Sequence, residues 1–371
     1  MNKYLFILLI FLTSTLFADK KYCSKITEEQ RLTSVYLDLG NTNEKKFAIN
    51  LLSSLKNNFL PHERLQIFTI NPSNSTIDLV FNSCAPVLTN TEIKKVKEAG
   101  NMKYMFGGNP IELAKEDMSF FMASIKSLLA KIYKNNLYEN YDSKNIIEIL
   151  YNESLNFENT PMQRVIIYSD MLQNSEEIKL NSILEKYDIN KITNKFKLNL
   201  NYSNIYIYTS KKIFSINKYN KISLFWKRYF ELNNANVISY NNKLKLPSIK
   251  KLYYKKYAGK IFLNGEEFKS KIYINYTDDF SINNAWFIIN GLDAIPLKGK
   301  MRLTKGKFIN ATLKISKLYN KHQIFSGDEE FILNIKGKKL EGTLKQDNTE
   351  IILNNKKITN PSFKIQMKEI Y

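Results

Sequence analysis

Hydrophobic positions along the chain change rhythm near residue 245. Before it, short apolar runs alternate with helically spaced stretches. The runs are Ser34–Asp38, Arg64–Ile70, Thr76–Phe81, Val165–Asp170, Asn204–Tyr208 and Val237–Tyr240. Continuous apolar runs suit parallel strands buried on both faces. Between them, Glu44–Phe59 places Phe47, Leu51, Leu55 and Phe59 on one helical face. Ile111–Tyr133 does the same with Phe121, Ile125, Leu128, Leu129 and Ile132, a stripe that core packing accounts for. Ser143 suits the N-cap of a helix over Ser143–Leu155. Lys221–Leu232 is amphipathic, and a helix joining two sheet strands must bury its Phe225, Trp226, Tyr229 and Phe230; lying on a membrane surface is the alternative. The turn Asn71–Asn74 predicts an antiparallel hairpin between the second and third runs.

After residue 245 helical spacing disappears. Short β-type runs recur at Lys260–Leu263, Ser270–Tyr276, Ala285–Ile289, Gly299–Leu303, Phe308–Ser316, Glu330–Ile335, Lys339–Lys345, Glu350–Leu353 and Ser362–Met367. Gly, Asn and Asp turns separate them, which predicts a sandwich or an up-and-down barrel. The chain therefore divides into an α/β domain over 30–241, a Lys- and Pro-bearing linker over 242–256 and a β-rich domain over 257–371. The expected fold is a six-stranded, mostly parallel sheet flanked by helices, followed by an all-β domain.

Met1–Ala18 has the form of a secretory signal peptide, with Lys3, an apolar Tyr4–Leu12 and Leu16-Phe17-Ala18 before Asp19. Its apolar run is short for a span, though retention as an anchor is the alternative. No later segment is long and apolar enough to cross a bilayer, and Cys23 lacks the small preceding residues of a lipidation site. The mature chain is expected in the periplasm or outside the cell. Cys23 and Cys84 are the two cysteines, and in an oxidising compartment they are expected to pair; two unpaired thiols are the alternative. His62 and His322 are the two histidines, in a polar turn and a loop, so neither a Cys/His nucleophile nor a multi-His zinc site is supported.

The formal charge is +20 over 371 residues. It fits an anionic envelope surface as partner. Codon drift accounts for it better, because the lysines are scattered over both halves and Asn, Ile and Tyr are also abundant. Export disfavours nucleic acid.

The first and fourth strand runs each stop at an aspartate, Asp38 and Asp170. Ligand sites of open α/β sheets lie beyond the carboxyl ends of the strands, so the two carboxylates are candidates for one site. With the strand–helix order, this half resembles the von Willebrand factor A domains over roughly Ser34–Asn241. The resemblance implies a metal-ion-dependent adhesion site: Asp38 as first aspartate, Thr42 as a hydroxyl ligand, Ser143 in place of a later threonine with Asn109 as rival, and Asp170 as last aspartate. Gly40 stands where a serine ligand is expected. Magnesium held there would be weak. The bland alternative is that Asp38 and Asp170 simply cap turns. Ser169–Ser175 and Cys84-Ala85-Pro86 further resemble a subgroup of exported bacterial domains of this class.

The implied function is an exported module of adhesion or scaffold type that holds another envelope or extracellular protein at the strand-end face. A carrier of lipid or glycan in the β domain is the first alternative. A metal-assisted hydrolase is the second, although no nucleophile or phosphate loop accompanies the two aspartates; no enzymatic activity is expected. No cofactor beyond weak magnesium is implied.

Overall fold

The structure, a computed structural model, describes residues 22–23, 31–38, 45–56, 58–61, 63–71, 76–100, 104, 108–135, 144–154, 162–173, 175, 178, 188–198, 200, 203–209, 215–246, 252–277, 282–290, 295–304, 308–315, 329–345, 350–353 and 356–370. The expected signal peptide, Gly40, Thr42, His62, Ser143 and His322 lie outside them. Contacts group the chain into two compact units, Met1–Leu224 with Val237–Ile249, and Phe225–Asn236 with Lys250–Tyr371. Among the described residues, no helix is long and apolar enough to cross a membrane.

The first unit is built on β1 (Arg31–Asp38), β2 (Arg64–Asn71), β3 (Thr76–Cys84), β4 (Met162–Tyr168), β5 (Asn204–Tyr208) and β6 (Asn236–Asn241). They form one sheet in the order β3-β2-β1-β4-β5-β6. Strands β2, β1, β4 and β5 run parallel, and β3 returns antiparallel along β2, as the hairpin turn predicts. In chain order the helices are α1 (Lys45–Leu55), α2 (Asn90–Ala99), α3 (Pro110–Asn135), α4 (Ile146–Ser154), α5 (Ile189–Lys195) and α6 (Ile216–Leu232), the last divided between the two units at Leu224. The apolar spacing did not announce α2 and α5. Cap chemistry marks them instead: Thr89 and Glu92 make a capping box on α2, and Asp188 caps α5.

The helical stripes read from sequence are the ones that bury. Phe47, Leu51 and Leu55 of α1 join Phe121, Ile125 and Leu129 of α3 over Val35, Leu37, Leu65, Ile67, Ile166 and Tyr168 on one face of the sheet. Phe47 stacks on Tyr168 at 4.0 Å between ring centroids. Emptying such a fully buried aromatic position removes about 3–5 kcal/mol. Cys23 and Cys84 form a disulfide with Cα atoms 5.5 Å apart. It closes a span of 61 residues, worth about 4 kcal/mol by chain entropy alone.

The second unit contains a closed barrel. Its strands are β7 (Leu252–Leu263), β8 (Glu266–Thr277), β9 (Ile282–Ile289), β10 (Ile295–Thr304), β11 (Phe308–Ile315), β12 (Glu330–Lys336), β13 (Lys339–Leu344) and β16 (Phe363–Glu369), with β14 (Glu350–Leu353) and β15 (Lys356–Thr359) as a separate hairpin. Each strand pairs antiparallel with its neighbours, and β16 closes the ring on β7. β7 starts at Leu252, inside the stretch read as linker, because Lys255 and Lys256 obscure its alternation. In the barrel those lysines find partners: Lys255 pairs with Glu369, and Lys256 lies over the Tyr273 ring.

Alternate residues point inward and fill the bore. Phe331 on β12 reaches Phe287 on β9 at 5.4 Å and Phe363 on β16 at 5.6 Å. None of these strands is a neighbour of β12 in the ring, so the contacts cross the lumen and close it at that level. Eight strands leave an interior about wide enough for side chains, and apolar residues take it here.

Two glycines set the shape of the ring. A Cβ on Gly259 would meet the Gln366 carbonyl oxygen at 2.2 Å, and one on Gly299 the Thr312 oxygen at 1.9 Å. They sit at the β7–β16 and β10–β11 seams, half-way round the eight-stranded ring from each other. Both act as corners where one strand tucks against the next, a use of glycine that curved sheets demand. Gly299→Ala is expected to lose about 1–3 kcal/mol or more of barrel stability, as overpacking against fixed backbone does. Denaturant unfolding measures it, and an unchanged midpoint would contradict the corner.

Candidate functional site

Strand β1 lies between β2 and β4, so the chain reverses its direction of travel across the sheet between β1 and β4. That is the topological switch point, where ligands of open α/β sheets bind beyond the strand ends. Asp38 is the last residue of β1, and Ser169-Asp170 follow the last residue of β4. The sheet therefore brings Asp38 and Asp170 to one place, as their positions at two strand ends predict.

What stands between them is an ammonium group. Lys144 Nζ lies 2.8 Å from Asp38 Oδ2 and 2.9 Å from Asp170 Oδ1. Ser169 Oγ donates to Asp38 Oδ2 at 2.6 Å and accepts the Met171 N–H at 2.9 Å. The second Asp170 contact is internal: Leu172 N–H donates to Oδ1 at 2.9 Å, closing the turn. Asp38 is fully buried, while the Asp170 side chain retains 12 % exposure. Asp170 is thus both a turn-former and the carboxylate nearest to solvent.

The loop that carries Asp170 is tightly held. Met171 is fully buried with φ at +60°, a left-handed conformation that costs a non-glycine residue energy. Gln173 holds the loop to α4: its Oε1 accepts the Ile147 N–H at 3.0 Å, and its Nε2 donates to Glu148 at 2.7 Å. Hydrogen bonds and the Lys144–Asp170 ion pair thus tie the loop to α4 and to Lys144 just before it.

Charge decides the proton affinities. Burial pushes the Asp38 carboxyl up; Lys144 opposes this and Asp170 adds to it, and the net direction is upward. Burial alone would lower the Lys144 ammonium, but the two carboxylates outweigh it and hold it above 10.5. Burial is the main cause at Asp38, whereas at Lys144 the two carboxylates facing one ammonium prevail over burial. Nearby, burial raises the Tyr240 phenol, with Tyr219 and Asp170 adding to the rise.

Of the residues proposed as metal ligands, Asp38 and Asp170 converge, while Thr42 and Ser143 fall outside the described residues. Asn109, the rival for the threonine position, caps α3, its Oδ1 accepting the Ile111 N–H at 2.9 Å. No group of three or more His, Cys, Asp or Glu side chains suited to a metal occurs among the described residues. No protein-family model matches the chain, and no curated protein matches its sequence. The site is defined by its own chemistry. Sequence reasoning stopped one residue short of Lys144. The available signal was electrostatic: two buried carboxylates need a compensating charge.

At the opposite end of the same strands lies a second ionic cluster. Glu63 is fully buried and receives Arg31 Nη2 at 2.6 Å, Arg164 Nη2 at 2.8 Å, the Thr33 hydroxyl at 2.5 Å and the Leu60 N–H at 2.7 Å. Burial would raise its carboxyl, but the two arginines outweigh it and hold it below 4.5. Burial pushes the Arg164 guanidinium down to about 10, with Arg31 adding to the fall and Glu63 opposing it. In the sequence Glu63 stands beside His62 in the polar turn Pro61–Arg64. In the fold it locks β1, β2 and β4 at their amino ends, and its carbonyl accepts the Ala85 N–H at 2.8 Å beside the disulfide.

Proposed function

We propose that the α/β unit is an exported protein-interaction module of the von Willebrand factor A type, in which a lysine takes the place of the cation. One observation carries this: the Lys144 ammonium bridges Asp38 and Asp170 at the switch point. The ammonium supplies the positive charge that magnesium would bring, without an open coordination position. A metal site recognises an acidic group on its partner. Here the surplus charge is negative, and Asp170 is its exposed edge. The partner group that fits is therefore a donor, a lysine, an arginine or a backbone N–H.

The Phe331 contacts across the bore weigh against a ligand carried at that level of the barrel. The one hydroxyl described in the cluster, Ser169 Oγ, is buried, donates to Asp38 and accepts the Met171 N–H, which weighs against its use as a hydrolase nucleophile. The test is crosslinking and pull-down with the mature chain from its native envelope, comparing wild type with Asp170→Asn. The substitution keeps Oδ1 as an acceptor for Lys144 and Leu172. Partner capture is expected to be lost in the variant and indifferent to a chelator. Capture abolished by the chelator, or unchanged in the variant, would overturn the proposal.

A further inference from the structure

The outer wall of the barrel carries lysines in register. Across β12, β13 and β16, Lys336 stands opposite Lys339, and Lys339 opposite Lys368. The row continues through Ala258 on β7 to Lys271 on β8. In the next row Glu341, Gln366, Lys260 and Lys269 stand side by side. Like charges directly opposite one another destabilise a sheet. Lys339 and Lys368 are exposed, and neither forms an ion pair among the described residues. Lys260 is already paired, with Glu267 at 2.8 Å.

Of these residues, Ala258, Lys260, Lys339, Glu341, Gln366 and Lys368 line an open groove of about 380 Å³ across β13, β16 and β7. Ala258 and Gly259 leave its floor low, Lys339, Lys368 and Lys260 give it positive charge, and Gln366 and Glu341 add hydrogen-bonding groups. Glu341 is its single acidic lining residue. Leu340 and Met367, its apolar members, are buried.

We propose that this groove binds a linear anionic polysaccharide. The repelling lysines mark an anion as occupant, because neutralising them relieves repulsion already present in the fold. A chain of sugars fits an open groove whose amide and carboxylate match hydroxyl groups. A membrane surface fits less well: the lining offers no exposed apolar side chain to insert. A single-stranded nucleic acid would want an aromatic platform, which the lining lacks. The site lies on the barrel and does not depend on the strand-end proposal.

The experiment uses the full mature chain and polygalacturonate as probe, with neutral dextran and phosphatidylglycerol vesicles for comparison. A double variant, Lys339→Gln with Lys368→Gln, is set against Lys298→Gln with Lys314→Gln, which removes equal charge at the opposite seam, where those two lysines also face each other. Neither double is expected to lower the thermal midpoint, and removing the facing Lys339 and Lys368 charges should raise it slightly. The groove double is expected to lose about tenfold in affinity for polygalacturonate, and the opposite-seam double less than about twofold. Equal losses in both would reduce the effect to net charge and overturn the site. Binding no stronger than to dextran would overturn it too. Tighter binding to the vesicles than to polygalacturonate at equal charge would make the wall a membrane face instead.

Discussion

Glu63→Gln is expected to be among the most destabilising single changes in the α/β unit, by about 3–5 kcal/mol, the range for breaking a buried ion pair from one side. The reason is what remains behind. Arg31 and Arg164 are buried to 4 % and 3 % exposure, and both turn their guanidinium groups toward that one carboxylate. With it neutralised, two cations share a dry pocket whose remaining acceptors include the Asn58 carbonyl and the Thr33 hydroxyl. Denaturant unfolding of the mature chain, followed by hydrogen exchange at the β1 and β4 amides, localises the loss. A cost below about 1 kcal/mol would mean that the cluster is hydrated and the lock does not exist. The same group sets an acid limit. Its carboxyl is held below 4.5 in the fold, so its contribution is complete above that pH and is lost as pH falls through the folded value.

The second large effect is expected at Lys144. Lys144→Met keeps the length of the side chain and removes its charge. Asp38 and Asp170 then face each other with no cation between them, and a loss again of about 3–5 kcal/mol is expected at neutral pH. Two recoveries distinguish this from a packing defect. Millimolar magnesium or manganese should raise the variant's thermal midpoint and leave that of the wild type unmoved, because only the variant leaves the two carboxylates without a cation. Mild acid should also recover stability, since protonating Asp38 removes the repulsion. If neither restores the midpoint, Lys144 is a packing element and the cation-replacement proposal falls. In the wild type, the raised Lys144 affinity gives stability that is full below pH 10.5 and is lost as pH rises through its folded value. Asp38 shifts in the same sense: its contribution is full below 3.8 and is lost as pH rises through its own raised value.

Local pattern carried the sheet into view from the sequence, because β1, β2, β4 and β5 are apolar at consecutive positions and α1 and α3 have unbroken stripes. Barrel and sandwich could not be told apart, since inward–outward alternation is the same in both. The pairing that decides is Leu263 with Phe363, far apart in the chain. In the site, Asp38 and Asp170 were legible because strand ends announce themselves. Lys144 was not, because a lysine between Ser143 and Asn145 resembles the many surface lysines of a chain at +20. Arg31 and Arg164 held a clue of another kind: a guanidinium inside an apolar parallel strand requires a carboxylate, and Glu63 supplies it.

The pairing of β7 with β16 has a consequence for biogenesis. Synthesis delivers β7 first and β16 last, so the strand that opens the barrel waits for the strand that shuts it. Until Phe363–Glu369 arrives, β7 and β13 each offer a row of unpaired amides, the kind of edge that recruits foreign strands and proteases. Closure thus doubles as a check on completeness: a chain clipped before Phe363 would hold every other strand of the ring and still be marked for disposal.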